Sequence, residues 1–256
     1  MENKIPKIIH YCWLSNDPKP VFIEECMATW SVIMPDYEII CWDSQRFPIN
    51  EVPFVKAAYQ ARKWAFAADY IRLYALYHHG GIYLDSDVKV YKPFDRFLSH
   101  AAFSGVEFHP EMFYQSIKKN SYAGLGIEAA VIGSAPQHPW IKSCLDFYQQ
   151  KTFINSPEFM DSMIMSGILP ELLIPFGFKY EPLYQQLDQD IHIYPPDVFS
   201  NRNQPSFLKY SSHLCANSWR EGKQPSVWEQ TVFKCKKFVL EKVIGKDNYA
   251  KIKKRT

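Results

Sequence analysis

The stretch from residue 65 to residue 87 constrains the fold of this chain more than any other part of the sequence. Alanines and large apolar residues recur there at helical spacing, which predicts a helix with one continuous buried face. Gly80 and Gly81 then end the helix, because glycine adopts the left-handed and open backbone conformations that turn a chain. The apolar run Ile82–Leu84 is too short for another helix and predicts an interior strand.

Two carboxylates, Asp85 and Asp87, follow that strand directly. In open α/β folds ligands bind at the edge where strands end, and residues i and i+2 of an extended segment project from the same side. The pair can therefore offer one carboxylate to a divalent cation and a second to the ligand or its waters. A solvated turn is the alternative, since Asp-Ser-Asp is common in turns.

The helix before the strand carries an acid and a base one turn apart, Asp69 and Arg72. A surface ion pair would contribute little to stability. Their neighbours, however, are alanines and large apolar residues, so we expect at least one of the two charges to be buried, and buried charges need partners. Both residues are therefore candidates for the same site as the two carboxylates.

The run from residue 68 to residue 87 resembles the core of the DXD-containing glycosyltransferase family 32. That family includes yeast-type initiating mannosyltransferases and bacterial capsule and lipopolysaccharide sugar transferases, and the run is also similar to the glucosyltransferase domains of the large clostridial toxins. The resemblance implies an α/β fold of the GT-A nucleotide-diphosphosugar transferase type, a single Rossmann-like domain with a mixed central sheet. The residues that carry it are Ala68-Asp69-x-x-Arg72 and Gly80-Gly81-Ile82-Tyr83-Leu84-Asp85-x-Asp87.

The resemblance also implies roles for individual residues. Asp85 would hold the ribose of the donor and orient the metal, and Asp87 would ligate Mn²⁺ or Mg²⁺ directly. Asp69 and Arg72 would contact the sugar hydroxyls and a phosphate, for which the guanidinium offers a rigid fork of donors. Trp13, in an Ile-His-x-x-Trp setting, would stack on the nucleotide base, although core packing is the alternative.

A second motif, at residues 212–219, resembles the loop that closes over the donor in this family. His213 is expected to act as a third metal ligand beside Asp85 and Asp87, because imidazole is an acceptable ligand for Mn²⁺. Ser218 and the indole N–H of Trp219 could donate to diphosphate oxygens. Whether His213 or the Asn217–Ser218 pair contacts the metal remains open in the sequence.

Three more residues have an expected place. Tyr83, in the predicted strand, is expected to contact the donor. Glu128 is placed near the transferred sugar, where family members often have asparagine and alanine, and a surface acid on an edge strand is the alternative. His10, inside a predicted first strand, is expected to be a core histidine with satisfied hydrogen bonds.

The order of the remaining predicted elements is that of a parallel α/β sheet. The segment His109–Gly126 has little periodicity and is predicted to be a mobile loop on the acceptor side. The predicted strands are Ile5–Leu14, Tyr37–Trp42, Ala101–Glu107 and Ile127–Gly133, and the predicted helices cover Pro20–Met34, Glu51–Tyr59 and the residues from 137 to 150.

The charge distribution divides the chain in two. Nine basic and two acidic residues give the segment from Phe233 to Thr256 a net charge of +7, although the whole chain carries only +2. This predicts a glycosyltransferase domain over residues 1–224 and a basic amphipathic tail over residues 225–256. Such a tail can dock on an anionic membrane surface, and a terminal helix packed on the domain is the alternative.

The cellular place follows from what the sequence lacks. The N-terminus lacks the long apolar core of a signal peptide, no stretch is expected to reach membrane-spanning length, and the six cysteines form no CxxC pair. We therefore expect a cytoplasmic protein, peripheral on the inner face of the cytoplasmic membrane, with no nucleic-acid partner.

Taken together, these features and the resemblance predict a metal-dependent hexosyltransferase, and the resemblance implies that transfer occurs with retention. The expected donor is a UDP-sugar such as UDP-galactose, UDP-glucose or UDP-GlcNAc, and GDP-mannose is the alternative. The expected acceptor is a saccharide on polyprenyl diphosphate, in capsule, O-antigen or lipopolysaccharide synthesis. Two other classes remain: a phosphatase of the haloacid-dehalogenase type, whose Asp-x-Asp lies on its first strand, and a non-catalytic sugar- or membrane-binding module.

Overall fold

The computed structural model describes residues 4–15, 17–117, 123–199 and 208–215. Within these residues the chain alternates strands and helices, and the strands form one large sheet and one two-stranded ribbon. The predicted boundary between residues 224 and 225, and the predicted basic tail, lie outside the described residues. The strands are β1 (Ile8–Cys12), β2 (Glu38–Trp42), β3 (Gly81–Leu84), β4 (Val88–Val90), β5 (Ala102–Phe108), β6 (Leu125–Ile127), β7 (Val131–Ser134), β8 (Gln185–Leu187), β9 (Ile191–Tyr194) and β10 (Ser211–His213).

The helices cover the sheet, and several of them begin at a proline. Pro53, for example, occupies the first turn of its helix, where its missing N–H costs nothing. Single 3₁₀ turns lie at Ile49–Glu51, Asp95–Phe97 and Ile174–Phe176. The helices are α1 (Val21–Ile33), α2 (Pro53–Gln60), α3 (Trp64–His79), α4 (Pro110–Ile117), α5 (Pro139–Gln149), α6 (Pro157–Ser162), α7 (Met165–Leu173) and α8 (Pro196–Phe199).

The large sheet is mixed, with the strand order β2-β1-β3-β7-β5-β9-β8 and β6 paired to β5. Strands β2, β1 and β3 run parallel, and so do β5 and β9, whereas β7 is antiparallel to both of its neighbours and β8 is antiparallel to β9. The predicted α/β class with a mixed central sheet is confirmed.

The central stretch has the predicted form. Helix α3 ends at Gly80, with φ 64°, and Gly81 follows with φ 104°, both in the region that favours glycine. A Cβ on Gly81 would also lie 2.7 Å from the carbonyl oxygen of Ile8, so that β3 could not approach β1 as it does. All four residues of β3 are buried, and Asp85 and Asp87 emerge where the strand ends.

A separate ribbon holds the C-terminal motif against this edge. Strands β4 and β10 pair antiparallel, which places His213 opposite Val88, the residue after Asp87. Helix α1 supports the ribbon from the other side, because the buried indole of Trp30 donates its N–H to the Val88 carbonyl at 2.8 Å. The C-terminal motif is thus fixed through β4 and α1.

The core beneath β5 is aromatic and tightly packed. The rings of Phe97 and Phe103 lie 5.1 Å apart, and Phe103 stacks on Phe199 at 5.4 Å. On the neighbouring strand β7, a Cβ at Gly133 would lie 2.0 Å from a ring carbon of Phe103. Glycine is therefore needed at residue 133 to make room for the ring.

Two sequence-based predictions were wrong. The strand predicted over Ile127–Gly133 is split into β6 and β7 by a turn at residues 128–130. Two carbonyls of that turn, at residues 129 and 130, accept hydrogen bonds from Arg72 and from the Asp85 N–H instead of from a neighbouring strand. The loop predicted over His109–Gly126 contains helix α4 and the first residues of β6. Its helical anchor is Phe113, which is buried against Phe108.

One segment is an exception to the expectation that no stretch reaches membrane-spanning length. Residues Pro157–Phe176 have the length and apolar composition of a membrane span, with a hydropathy of 1.3. In the structure the segment is divided into α6, α7 and a 3₁₀ turn, and about a third of it is buried. Helix α7 packs against β6 and α5.

Candidate active site

Asp85 lies directly beyond the end of β3, and one of its carboxylate oxygens contacts Tyr83 and Arg72. The hydroxyl of Tyr83 donates to Asp85 Oδ1 at 2.9 Å, as expected for residues i and i+2 on one side of a strand. Arg72 Nη2 lies 3.4 Å from the same oxygen. Asp85 Oδ1 is therefore fixed, while the side chain remains 27% exposed.

Arg72 is buried and its donors are directed at protein acceptors. Nη1 donates to the Ala129 carbonyl at 2.6 Å, Nε to the Ala68 carbonyl at 3.4 Å, and Nη2 pairs with Asp69 Oδ1 at 2.9 Å. The guanidinium also lies over the Tyr83 ring, 4.6 Å from its centroid. Burial raises the pKa of Asp69, and Arg72 opposes that shift. Arg72 thus orients Asp85 and the turn after β6, and the predicted contacts of Asp69 and Arg72 with the sugar and phosphate remain predictions.

The structure brings the three predicted metal ligands together. His213 Nε2 lies 3.4 Å from Asp87 Oδ1 and 3.9 Å from Asp85 Oδ2. One ligand atom from each of the three residues lies within 4.8 Å of the others. Two carboxylates and an imidazole are a donor set that suits Mn²⁺, and they suit Mg²⁺ less well because it favours oxygen alone. These residues fit a divalent ion.

The other ring nitrogen of His213 faces Glu128. Nδ1 lies 3.3 Å from Glu128 Oε1, and the Glu128 side chain is 4% exposed. Burial opposes the charged imidazole, but hydrogen bonds with Asp87, Cys215 and Glu128 outweigh it and raise the pKa of His213. Glu128 thus lies on the side of the His213 ring that faces away from Asp87. Its predicted place near the transferred sugar remains a prediction.

Trp13 lies just beyond the end of β1, on the same edge of the sheet as Asp85. It is half-buried, its indole N–H donates to the Asp17 carbonyl at 3.0 Å, and the Lys19 ammonium lies 5.2 Å from the ring centroid. Base stacking on Trp13 therefore remains a prediction. Ser218 and Trp219, predicted to contact the diphosphate, lie outside the described residues, as does Asn217.

His10 is the predicted core histidine. It is fully buried, its Nε2 lies 2.8 Å from the Gly80 carbonyl, and its Nδ1 accepts from the indole of Trp42 at 3.1 Å. Burial lowers the pKa of His10 to about 4, although the hydrogen bond to Gly80 opposes that shift. The ring is therefore neutral and structural, and the prediction is confirmed.

Sequence reasoning missed a second polar pair at this edge, Glu107 and His109. His109 Nε2 lies 3.0 Å from Glu107 Oε1, where β5 ends. Burial opposes the charge of Glu107, but hydrogen bonds from His109 and Ser166 lower its pKa, and its charge acts on His213 as well. The spacing i, i+2 after a predicted strand could have revealed this pair, as it revealed Asp85 and Asp87.

A second cluster of possible metal ligands lies at the opposite edge of the sheet, where β5 and β9 begin. It consists of His100, Asp190 and His192. Asp190 Oδ1 lies 2.9 Å from His192 Nε2, its Oδ2 accepts from Lys4 and from the Ala101 N–H at 2.9 Å each, and the two imidazole rings stack at 3.6 Å. These polar atoms already contact one another, so the cluster ties β5 to β9.

The position of Asp85 also bears on the phosphatase alternative. That alternative requires the Asp-x-Asp on the first strand, whereas β1 and β2 precede β3 here. A profile described as "Glycosyltransferase sugar-binding region containing DXD motif" matches residues 20–104, which include α3, β3 and both aspartates.

Two curated relatives are similar to this chain over part of their length. A mannosyl phosphorylinositol ceramide synthase of Saccharomyces cerevisiae is 30% identical over 55% of this chain and 34% of its own length. An inositol phosphoceramide mannosyltransferase of Schizosaccharomyces pombe is 28% identical over 73% of this chain and 49% of its own length. Among solved structures, the PaToxG glycosyltransferase is 16% identical, with a TM-score of 0.48 over 67% of this chain and 69% of that one.

The chain therefore spans less than half the length of these two curated relatives. The matched region holds part of the site: α3 with Asp69 and Arg72, and β3 with the two carboxylates beyond it, whereas His213 lies outside the match. Over residues 20–104 this chain is therefore similar to the glycosyltransferases whose sugar-binding region contains the DXD motif.

Proposed function

We propose that this chain transfers a hexosyl group, with retention, from a nucleotide-diphosphate sugar to a hydroxyl of a saccharide acceptor. The observation that carries the proposal is the convergence of Asp85, Asp87 and His213 on one ion-sized space at the end of β3. A divalent ion bound there supplies Lewis-acid stabilisation of the charge that develops on the leaving diphosphate.

The chain's own residues would prepare the site before the donor binds. Arg72 and Tyr83 hold Asp85 by Oδ1, which leaves Oδ2 on the side of His213. The β4–β10 ribbon fixes His213 beside Asp87, because the Leu214 N–H donates to the Asp87 carbonyl at 3.1 Å. Preorganised ligands of this kind need no rearrangement during the reaction.

Retention fits a front-face substitution. Each carboxylate of the site already contacts the protein: Asp85 contacts Arg72, while Asp87 and Glu128 contact His213. The acceptor hydroxyl oxygen would bond to the anomeric carbon as the bond from that carbon to the phosphate oxygen breaks. Its proton would pass to the leaving phosphate, so no protein nucleophile or separate base is required.

Two donors are candidates. The names of the relatives favour a mannosyl donor, because both are mannosyl-transferring by name. GDP-mannose is therefore our first candidate, and a UDP-hexose such as UDP-galactose, UDP-glucose or UDP-GlcNAc is the second. The indole of Trp13 can stack on either base, since every base has a π-face.

The test is metal-dependent hydrolysis of a panel of GDP- and UDP-sugars without acceptor. We expect one donor to be hydrolysed with Mn²⁺ and none with EDTA, and Asp87→Asn to abolish the reaction while the thermal midpoint stays unchanged. Asp146→Asn, the same chemical change on the exposed face of α5, should be as active as the parent. Hydrolysis by Asp87→Asn at the parent rate would exclude the proposed site.

We propose further that the acceptor is linked to a lipid such as polyprenyl diphosphate and that the enzyme works on the inner face of the cytoplasmic membrane. The support is the net charge of +7 on the segment from Phe233 to Thr256. Each Lys or Arg near an anionic surface adds about 1 kcal/mol of binding free energy.

Sedimentation with anionic vesicles tests this part separately. Changing Lys253, Lys254 and Arg255 to glutamine in the full chain should weaken sedimentation at physiological salt and leave donor hydrolysis unchanged. Equal sedimentation of the variant and the parent would leave the segment without a membrane role.

A further inference from the structure

Glu128 is a buried carboxylate whose backbone is fixed on both sides. Its N–H donates to the Gly105 carbonyl at 2.8 Å, and its own carbonyl accepts from the buried hydroxyl of Ser104 at 2.9 Å. The Ala130 N–H donates back to Glu128 Oε1 at 3.0 Å. The turn that interrupts the predicted strand therefore holds one carboxylate oxygen in a fixed place.

That oxygen also faces His213. Oε1 lies 3.3 Å from Nδ1, on the opposite side of the imidazole from Nε2, which lies 3.4 Å from Asp87. Glu128 Oε1 can accept the N–H of Nδ1, and an ion held by the two aspartates would replace the hydrogen that Nε2 directs at Asp87. The imidazole is thereby oriented with Nε2 toward Asp85 and Asp87.

We propose that Glu128 is a positioning residue for the metal site, which fixes the orientation and tautomer of His213 so that Nε2 can bind the ion. This inference rests on the proposed function, since it takes Asp85, Asp87 and His213 as ligands. Histidines that bind metals commonly donate their other N–H to a carboxylate or carbonyl, and loss of that partner weakens metal binding about 10–100-fold.

Two of the three proposed ligands have a support of their own. Arg72 and Tyr83 hold Asp85, and Glu128 holds His213. The sequence positions of Glu128 and His213 do not suggest this pairing, because the β4–β10 ribbon and the turn after β6 are needed to bring them together.

The experiment measures Mn²⁺ affinity of the full chain without donor, from the electron paramagnetic resonance signal of free Mn²⁺. Glu128→Ala should raise the Kd about 10–100-fold. Glu128→Gln should raise it less, because an amide oxygen can still accept from Nδ1. In a chain that already carries His213→Ala, Glu128→Gln should change the Kd by no more than about twofold, since a positioning residue acts only through the residue that it positions.

Two further measurements separate positioning from general effects of burial or charge. Glu107→Gln removes a charge that acts on His213 through space while its carboxylate contacts His109, and it should change the Kd by less than about threefold. With Co²⁺ in place of Mn²⁺, the visible spectrum of Glu128→Ala should shift toward that of His213→Ala, because both lose the fixed nitrogen ligand. Thermal midpoints in EDTA show whether each variant is folded.

The outcomes distinguish this inference from the function on which it rests. If the parent chain does not bind Mn²⁺, both fail. If the parent binds and Asp87→Asn abolishes binding, while both Glu128 variants bind as the parent does, the positioning role alone is wrong. It is also wrong if Glu107→Gln weakens binding as much as Glu128→Gln, or if Glu128→Gln has its full effect without His213.

Discussion

The replacement Arg72→Lys tests whether this residue supports the site or contacts the ligand. Lysine keeps the charge but presents three donors from one atom, whereas guanidinium presents five in a planar fork. In the structure the fork serves acceptors on several sides: the carbonyls of Ala68 and Ala129 and the carboxylates of Asp69 and Asp85. A single ammonium cannot reach all of them.

The size of the effect follows from the contacts that lysine would lose. Each hydrogen bond to a charged group contributes about 1.5–3 kcal/mol, and breaking a buried ion pair costs about 3–5 kcal/mol. Arg72 is 4% exposed, so solvent replaces little of this loss. Losing two of the contacts should therefore lower the free energy of unfolding by about 3–5 kcal/mol, a large part of the 5–15 kcal/mol of a typical domain.

Urea unfolding in EDTA measures this loss of unfolding free energy from the shift in the transition midpoint. The two free energies can be compared if the dependence on urea concentration is the same in both proteins. Arg96→Lys is the matched control, because Arg96 lies at the surface and donates to Tyr210 at 3.3 Å. We expect a change below about 0.5 kcal/mol there. If Arg72→Lys unfolds within 1 kcal/mol of the parent but no longer hydrolyses donor, the supporting role of Arg72 is refuted in favour of direct contact with the ligand.

Three other predictions follow from the described contacts. Trp13→Ala should raise the KM for donor about 5–150-fold, from about 1–3 kcal/mol of base stacking. A lowered thermal midpoint with an unchanged KM would make Trp13 a core residue. His10 has a pKa of about 4 in the fold and about 6.5 in the unfolded chain. Between these values the unfolded chain binds the proton and the folded chain does not. The free energy of unfolding should therefore fall by about 3 kcal/mol as the pH drops from 6.5 to 4. His10→Gln should remove that part of the slope in unfolding experiments across this range, and an unchanged slope would contradict the assignment. Gly133→Ala should lower the free energy of unfolding by about 1–3 kcal/mol, because the added methyl group clashes with Phe103. Phe103→Leu in the same chain should recover part of that loss. Additive effects of the two changes would show that the clash is absent.

The central stretch could be predicted from sequence because its signals are local. Apolar spacing indicated α3, and positive φ at Gly80 and Gly81 is a property that few other residues tolerate. The position of Asp85 and Asp87 after a buried strand followed from the same short segment. His10 could be assigned to the core because it lies within the apolar run of β1.

The tertiary structure alone decided how the site is completed. His213 reaches Asp87 because β10 pairs with β4, and β4 is held by Trp30 of α1. The segment after β6 has an apolar pattern typical of a continuous strand, yet the chain turns at Glu128. It turns there because Arg72 donates to the Ala129 carbonyl and the Asp85 N–H donates to the Ala130 carbonyl. Periodicity and residue preference act over a few neighbouring residues, whereas these contacts join segments far apart in the chain. Their register is set only when helices and strands pack together, so no local pattern could contain it.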